Sequence, residues 1–78
     1  MAAKAFVLIE TAVGKTKEVV GALGQLDGVE SVDTVTGPYD VIAIVRGETL
    51  NDIGGLVTSK IHTINGISRT VTCLAISS

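Results

Sequence analysis

Two kinds of hydrophobic pattern alternate along this chain. Ala5 to Ile9 is continuously apolar and rich in bulky or β-branched side chains, and Gly14 closes the stretch after Val13, which predicts a strand apolar on both faces. From Lys15 the period changes. Thr16, Val19, Val20, Leu23 and Leu26 recur at helical spacing while Lys15, Lys17, Glu18 and Gln25 fill the other side, so an amphipathic helix runs to Asp27-Gly28, where glycine can close it in the left-handed conformation. Val29 to Thr36 alternates loosely, with Glu30 and Asp33 among valines, as a partly exposed edge strand does. Gly37-Pro38-Tyr39-Asp40 breaks that pattern before Val41 to Val45, a second run apolar on both faces and so a central strand. Thr49 followed three positions later by Asp52 reads as a capping box, opening a helix with Leu50, Ile53, Val57, Ile61 and Ile64 on its apolar side. Asn65-Gly66 ends that helix rather than making a hairpin, because helical periodicity precedes it, and Ile67 to Ile76 supplies the last strand.

The element order is βαββαβ, and its halves repeat. Leu23, Leu26, Gly28, Val29 and Thr34 return thirty-eight residues on as Ile61, Ile64, Gly66, Ile67 and Thr72. Two interleaved split βαβ units give an α+β, ferredoxin-like sandwich: a four-stranded antiparallel sheet of order 4-1-3-2 with both helices on one face. Residues 1–78 form one domain. The two most apolar strands are central, so their uncovered face is greasy, and a dimer closed sheet to sheet is expected to bury it. Composition strengthens that expectation. The chain has 78 residues and is 46% apolar, with a mean hydropathy of +0.53. A protein of this size exposes about 4,500 Å² when folded and buries only about 60% of its unfolded surface.

Charge and cysteine content remove several functions. Six basic residues against eight acidic ones give a net charge of −2 with no basic patch, so direct nucleic-acid binding is not expected. Cys73, the single cysteine, makes neither an internal disulfide nor a cysteine-based zinc site, and alternates into a strand as a buried small hydrophobe. No metal or cofactor is expected. No apolar run spans a bilayer, and Glu10 cuts the N-terminal apolar stretch too short for a signal peptide, so the chain reads as soluble and cytoplasmic. His62 lies off the main helical stripe and reads as a surface residue at a helix end. No glycine motif cradles phosphate. Gly54-Gly55 inside the second helix costs about 1 kcal/mol per glycine, for which close packing or a bend is the expected reason.

The informative stretch is Gly37-Pro38-Tyr39-Asp40. It reads as a plain turn with Asp40 bonding local backbone, or as the lip of a small-molecule site in which Asp40 receives an ammonium group and backbone N–H groups near Gly37 take a carboxylate. Thr70 and Thr72 share one face of the last strand and add hydroxyls on the second reading.

The βαββαβ order, LDGVESVDTVTGPYDVIAIV and INGISRTVT together resemble the ligand-sensing domain of the leucine-responsive regulatory protein/AsnC family, without its helix-turn-helix, over nearly the whole chain. That resemblance implies sheet-to-sheet dimers, higher rings with the octamer foremost, and an amino-acid effector at interfaces between dimers. It implies effector contacts at Gly37, Tyr39 and Asp40, with Thr70 and Thr72 beside them. Pro38 departs from the acidic residue often found there. A full-length regulator of the same family is the implied partner. Two alternatives from other classes are a small dimeric enzyme of the monooxygenase type, for which His62, Asn51, Phe6 and Tyr39 are too scattered, and an oligomerisation unit without a ligand.

Overall fold

A computed structural model describes residues 2–76. Strand β1 (Ala3–Thr11), helix α1 (Thr16–Leu23), strands β2 (Val29–Thr34) and β3 (Val41–Gly47), helix α2 (Leu50–Leu56) and strand β4 (Ile67–Leu74) follow in the expected order. The sheet is antiparallel throughout, in the order β2-β3-β1-β4, with β1 and β3 central. This is the anticipated ferredoxin-like arrangement, named from the opposite edge.

The period of two along β1 decides which side chains meet the helices. Ala5, Val7 and Ile9 face them and are fully buried, as are Val41, Ala43 and Val45, their partners across β3. Val19 and Leu23 from α1, and Ile53, Val57 and Ile61 from the second helix, close this core, which holds no polar side chain among the described residues. The internal repeat is physical: Leu23 and Ile61 are both fully buried, and Gly28 and Gly66 both take positive φ, +94° and +102°, where the chain turns from helix into strand. At Gly66 a side chain is excluded twice over, since a Cβ would also lie 2.8 Å from Lys15 Cβ.

Element boundaries differ from the periodicity in ways with local causes. Helix α1 ends at Leu23, not Asp27. Beyond it the Gln25 and Leu26 amides reach back only three residues, to Ala22 and Leu23, which tightens the last turn while Leu26 still packs against the core. Strand β1 runs two residues beyond Ala5–Ile9 at each end, β2 and β4 each stop two residues short, and β3 gains Arg46 and Gly47. The second helix begins on the expected capping box, with the Asp52 amide donating to Thr49 Oγ1 (3.2 Å) and the Thr49 amide to Asp52 Oδ2 (3.1 Å). After Leu56 it widens into a π-helical turn, Val57–Ile61, closed by the His62 amide on the Val57 carbonyl. The Thr58 hydroxyl donates to the Gly54 carbonyl at 2.9 Å, a contact that loosens the regular ladder there. Widening suits the side chains, because Ile53, Val57 and Ile61 are four apart and would drift around a helix of 3.6 residues per turn.

Three expectations need correction. Cys73 is exposed, not core: its register partner is Phe6, on the sheet face that no helix covers. Leu50 sits in the first turn of α2 and remains 60% exposed. Of the two reasons expected for Gly54 and Gly55, close packing within the chain is the one that fails, because a Cβ at either meets nothing within 4 Å.

Candidate functional site

The turn between β2 and β3 is fastened to the end of β1. The Asp40 amide donates to the Ile9 carbonyl (2.9 Å), and the Val35 amide to the Asp40 carbonyl (2.9 Å). The Asp40 side chain adds a second tie: its Oδ2 accepts from the Thr11 amide at 2.8 Å and from Thr11 Oγ1 at 3.3 Å. Thr11 Oγ1 is in turn 2.7 Å from Thr16 Oγ1, in the first turn of α1. One carboxylate oxygen therefore couples the turn, β1 and α1. Among the described residues Oδ1 has no hydrogen-bond partner. Gly37 is exposed at φ +131°, a conformation that strains any other residue, with open space where a Cβ would stand.

Tyr39, half-buried, points its hydroxyl to the far side of β1. There it accepts from Arg69 Nη2 at 3.3 Å, while Arg69 Nε lies 3.6 Å from Glu10 Oε2. The Tyr39 hydrogen bond, and after it the Glu10 charge, raise the Arg69 guanidinium above its ordinary pKa, so it is a fixed cation. Arg69 also lines an open cavity of about 450 Å³ at the outer edge of β4, with His62, Ile67, Ser68 and Thr70. Across that cavity His62 Nε2 is 2.7 Å from Thr70 Oγ1.

The fold thus joins Tyr39 to the cavity that holds Thr70, through Arg69. It does not bring Thr72 there. Thr70 and Thr72 do share the helix-side face, opposite Ile9 and Val7, but Thr72 opens into a separate groove of about 260 Å³ between α2 and β4, beside Leu50, Gly54 and Leu74. Arg69 and His62 are the residues that sequence reasoning passed over or set aside. No motif marks Arg69; its position follows from the β1–β4 register that pairs it with Glu10. His62 is exposed, as expected, and the loop after the π turn returns it to Thr70. Arg69, His62 and Thr70 therefore share one cavity as a guanidinium, an imidazole and a hydroxyl, while the Asp40 carboxylate is held at Thr11, outside that lining.

The sheet face away from the helices is a second feature. Phe6, Leu8, Ile42, Ile44 and Val71 form its centre, each only partly covered. Charged pairs stand at its margins, Arg46 with Glu30 and Arg69 with Glu10, and Lys4 Nζ lies 5.3 Å from the Phe6 ring centroid. An apolar centre with a charged rim is the anatomy of a protein interface.

Comparison with known proteins agrees with this architecture. Residues 4–78 match the family model described as the Lrp/AsnC ligand binding domain. An uncharacterised HTH-type transcriptional regulator of Pyrococcus furiosus is 33% identical over 59 residues, covering 76% of this chain; the chain spans only 39% of that regulator's length. The crystal structure of TTHA0845 from Thermus thermophilus superposes with a TM-score of 0.93 at 36% identity, covering 97% of this chain and 95% of that one. A Neisseria meningitidis transcriptional regulator solved as a complex with L-methionine has the same fold, with a TM-score of 0.88 at 14% identity over 97% of this chain and 51% of its own.

Proposed function

Because the chain belongs to the Lrp/AsnC ligand-binding domain family, we propose that it is a regulatory module that binds a free amino acid, assembles as sheet-to-sheet dimers and rings of dimers, and passes the bound state to a transcription regulator of the same family. The observation that carries this reading is the Tyr39–Arg69 link between the Gly37–Asp40 turn and the cavity with Thr70 and His62. Asp40 Oδ1 receives the ammonium group. Arg69 and the amides near Gly37 take the carboxylate, and Thr70 adds a hydroxyl. Thr72 contributes from a neighbouring copy rather than beside Thr70, since it opens into the other groove. The Neisseria regulator's L-methionine complex supports an amino acid as the ligand class.

Regulation then follows from differential affinity. An amino acid that fits only one assembly state shifts the population toward it, with no bond made or broken. A binding module is preferred to an enzyme because the related protein from Pyrococcus is a transcriptional regulator. The layer between sheet and helices, where a small enzyme of this fold holds its substrate, is also filled here by Ile9, Leu23, Ile53 and other aliphatic side chains.

Native mass spectrometry of the chain, alone and with a pool of amino acids, tests this. The expected result is a multiple of the dimer mass that gains the mass of one amino acid per site, and an Asp40→Asn variant with affinity lower by about 1 to 3 kcal/mol, the worth of a charge-assisted hydrogen bond. A monomer that takes up no amino acid would reject the reading.

A further inference from the structure

The cavity at the outer edge of β4 is chemically one-sided. It offers an imidazole from His62, a guanidinium from Arg69 and the hydroxyls of Ser68 and Thr70 against one aliphatic side chain, Ile67, which packs onto the core. No carboxylate belongs to the lining, since Asp40 is held at Thr11. At about 450 Å³ the space is far larger than a carboxylate group, so it has room for the side chain of a bound amino acid as well. An apolar side chain placed there would cover hydroxyls and ring nitrogens without giving them a partner.

The charges around the cavity favour an anion. Arg69 is a fixed cation with Nη2 on the Tyr39 hydroxyl and Nε near Glu10, which leaves Nη1 for the α-carboxylate. Lys60 stands two residues before His62. Lys15 packs against Gly66, just before Ile67, with its Cβ 2.8 Å from where a Gly66 Cβ would stand. The acidic residues of these segments are already paired, Glu10 with Arg69 at 3.6 Å and Glu18 with Lys15 at 3.7 Å. The C-terminal end of the second helix does not reverse the sign, because its last carbonyls are covered. Thr63 Oγ1 donates to the Lys60 carbonyl at 2.8 Å, the Ile64 amide to Ile61 at 3.0 Å and the His62 amide to Val57 at 2.9 Å.

We infer that the amino acid bound here is a dicarboxylic one, its side-chain carboxylate seated on the Thr70 and Ser68 hydroxyls beside His62. The inference rests on the amino-acid reading above and names the side chain that the site selects. His62 is a positioning residue. With Nε2 protonated it donates to Thr70 Oγ1, 2.7 Å away, and the threonine turns its own proton toward the ligand. A carboxylate accepts that proton in a charge-assisted bond. An amide side chain of the same shape accepts it too, but gains nothing from the surrounding positive charge.

Calorimetric titration of the chain with L-glutamate, L-aspartate, L-glutamine and L-methionine tests this, with melting curves to confirm that each variant is folded. The acidic amino acids are expected to bind at least about tenfold more tightly than glutamine or methionine, the worth of one charge-assisted hydrogen bond. Thr70→Val and His62→Leu are each expected to shrink the preference for glutamate over methionine, a ratio that general damage to the fold would not move. Glutarate, the same acid without the amine, is expected to bind far more weakly than glutamate. If it binds equally well, the side-chain carboxylate site stands and the Asp40 contact to the ammonium group falls. Methionine or glutamine binding as tightly as glutamate overturns the inference and leaves the amino-acid reading intact. A preference for glutamate that survives both substitutions overturns the placement at Thr70. A chain that binds none of the four, nor any other amino acid, overturns the amino-acid reading and this inference with it.

Discussion

At the residue scale, single atoms carry disproportionate weight where the backbone has no alternative. Gly66 combines φ +102° with an excluded Cβ, 2.8 Å from Lys15 Cβ and 3.2 Å from Val19 Cγ2. Gly66→Ala must hold left-handed backbone and displace the start of α1, and is expected to cost about 2 kcal/mol in urea unfolding. Gly28 has the equivalent place in the first half, where the nearest atom to a Cβ is the end of the Leu56 side chain at 3.1 Å, and its substitution to alanine is expected to cost less. Both glycines were legible in the sequence as helix terminators, because each follows a helical period and precedes an apolar run. Asp40 was legible only as a residue of interest. Its tie to Thr11 depends on the β2–β3 turn folding back onto the end of β1, a contact across 29 positions that no local pattern encodes.

At the element scale, periodicity located all six elements, and what it missed lay at their ends. The capping box at Thr49 and Asp52 was readable because both partners are within one helical turn. Thr49→Ala removes the acceptor for the Asp52 amide and is expected to lower stability by about 1 kcal/mol, read as a shift in urea midpoint at constant slope. The switch to a π turn at Val57 was not readable, since Ile53, Val57 and Ile61 fit a regular helical stripe on paper nearly as well. Burial decides the matter: the wider turn keeps all three on the sheet, and each is buried. Alternation along β4 put Cys73 on the opposite face from Thr72 correctly, yet alternation says only that two faces differ. Which face the helices cover belongs to the packing.

At the scale of the whole molecule, surface and core are poorly matched. The described residues expose 4862 Å², close to what the mass predicts, with Phe6, Leu8, Ile42 and Ile44 only partly covered within that area. The proposed sheet-to-sheet dimer predicts a melting temperature that rises with protein concentration, because association stabilises only the folded chain. Leu8→Asp, placing a charge in the middle of that face, is expected to abolish the concentration dependence and leave a monomer in sedimentation. A melting temperature independent of concentration in the wild-type chain would argue against the dimer.

The sequence by itself determined the order of strands and helices, the glycines where direction reverses, the duplication of one half in the other, and the excess of apolar surface. Each is recorded locally, because a side chain's burial repeats with the period of the element that carries it. Only the tertiary structure decided that Arg69 meets Tyr39, that His62 meets Thr70, that Thr72 opens away from them, and that Gly54 lies bare in a groove. Those contacts depend on strand register and on how the second helix docks, and a shift of one residue in either changes every partner. Register is settled by the whole core closing at once, so it leaves its mark on no single stretch of chain.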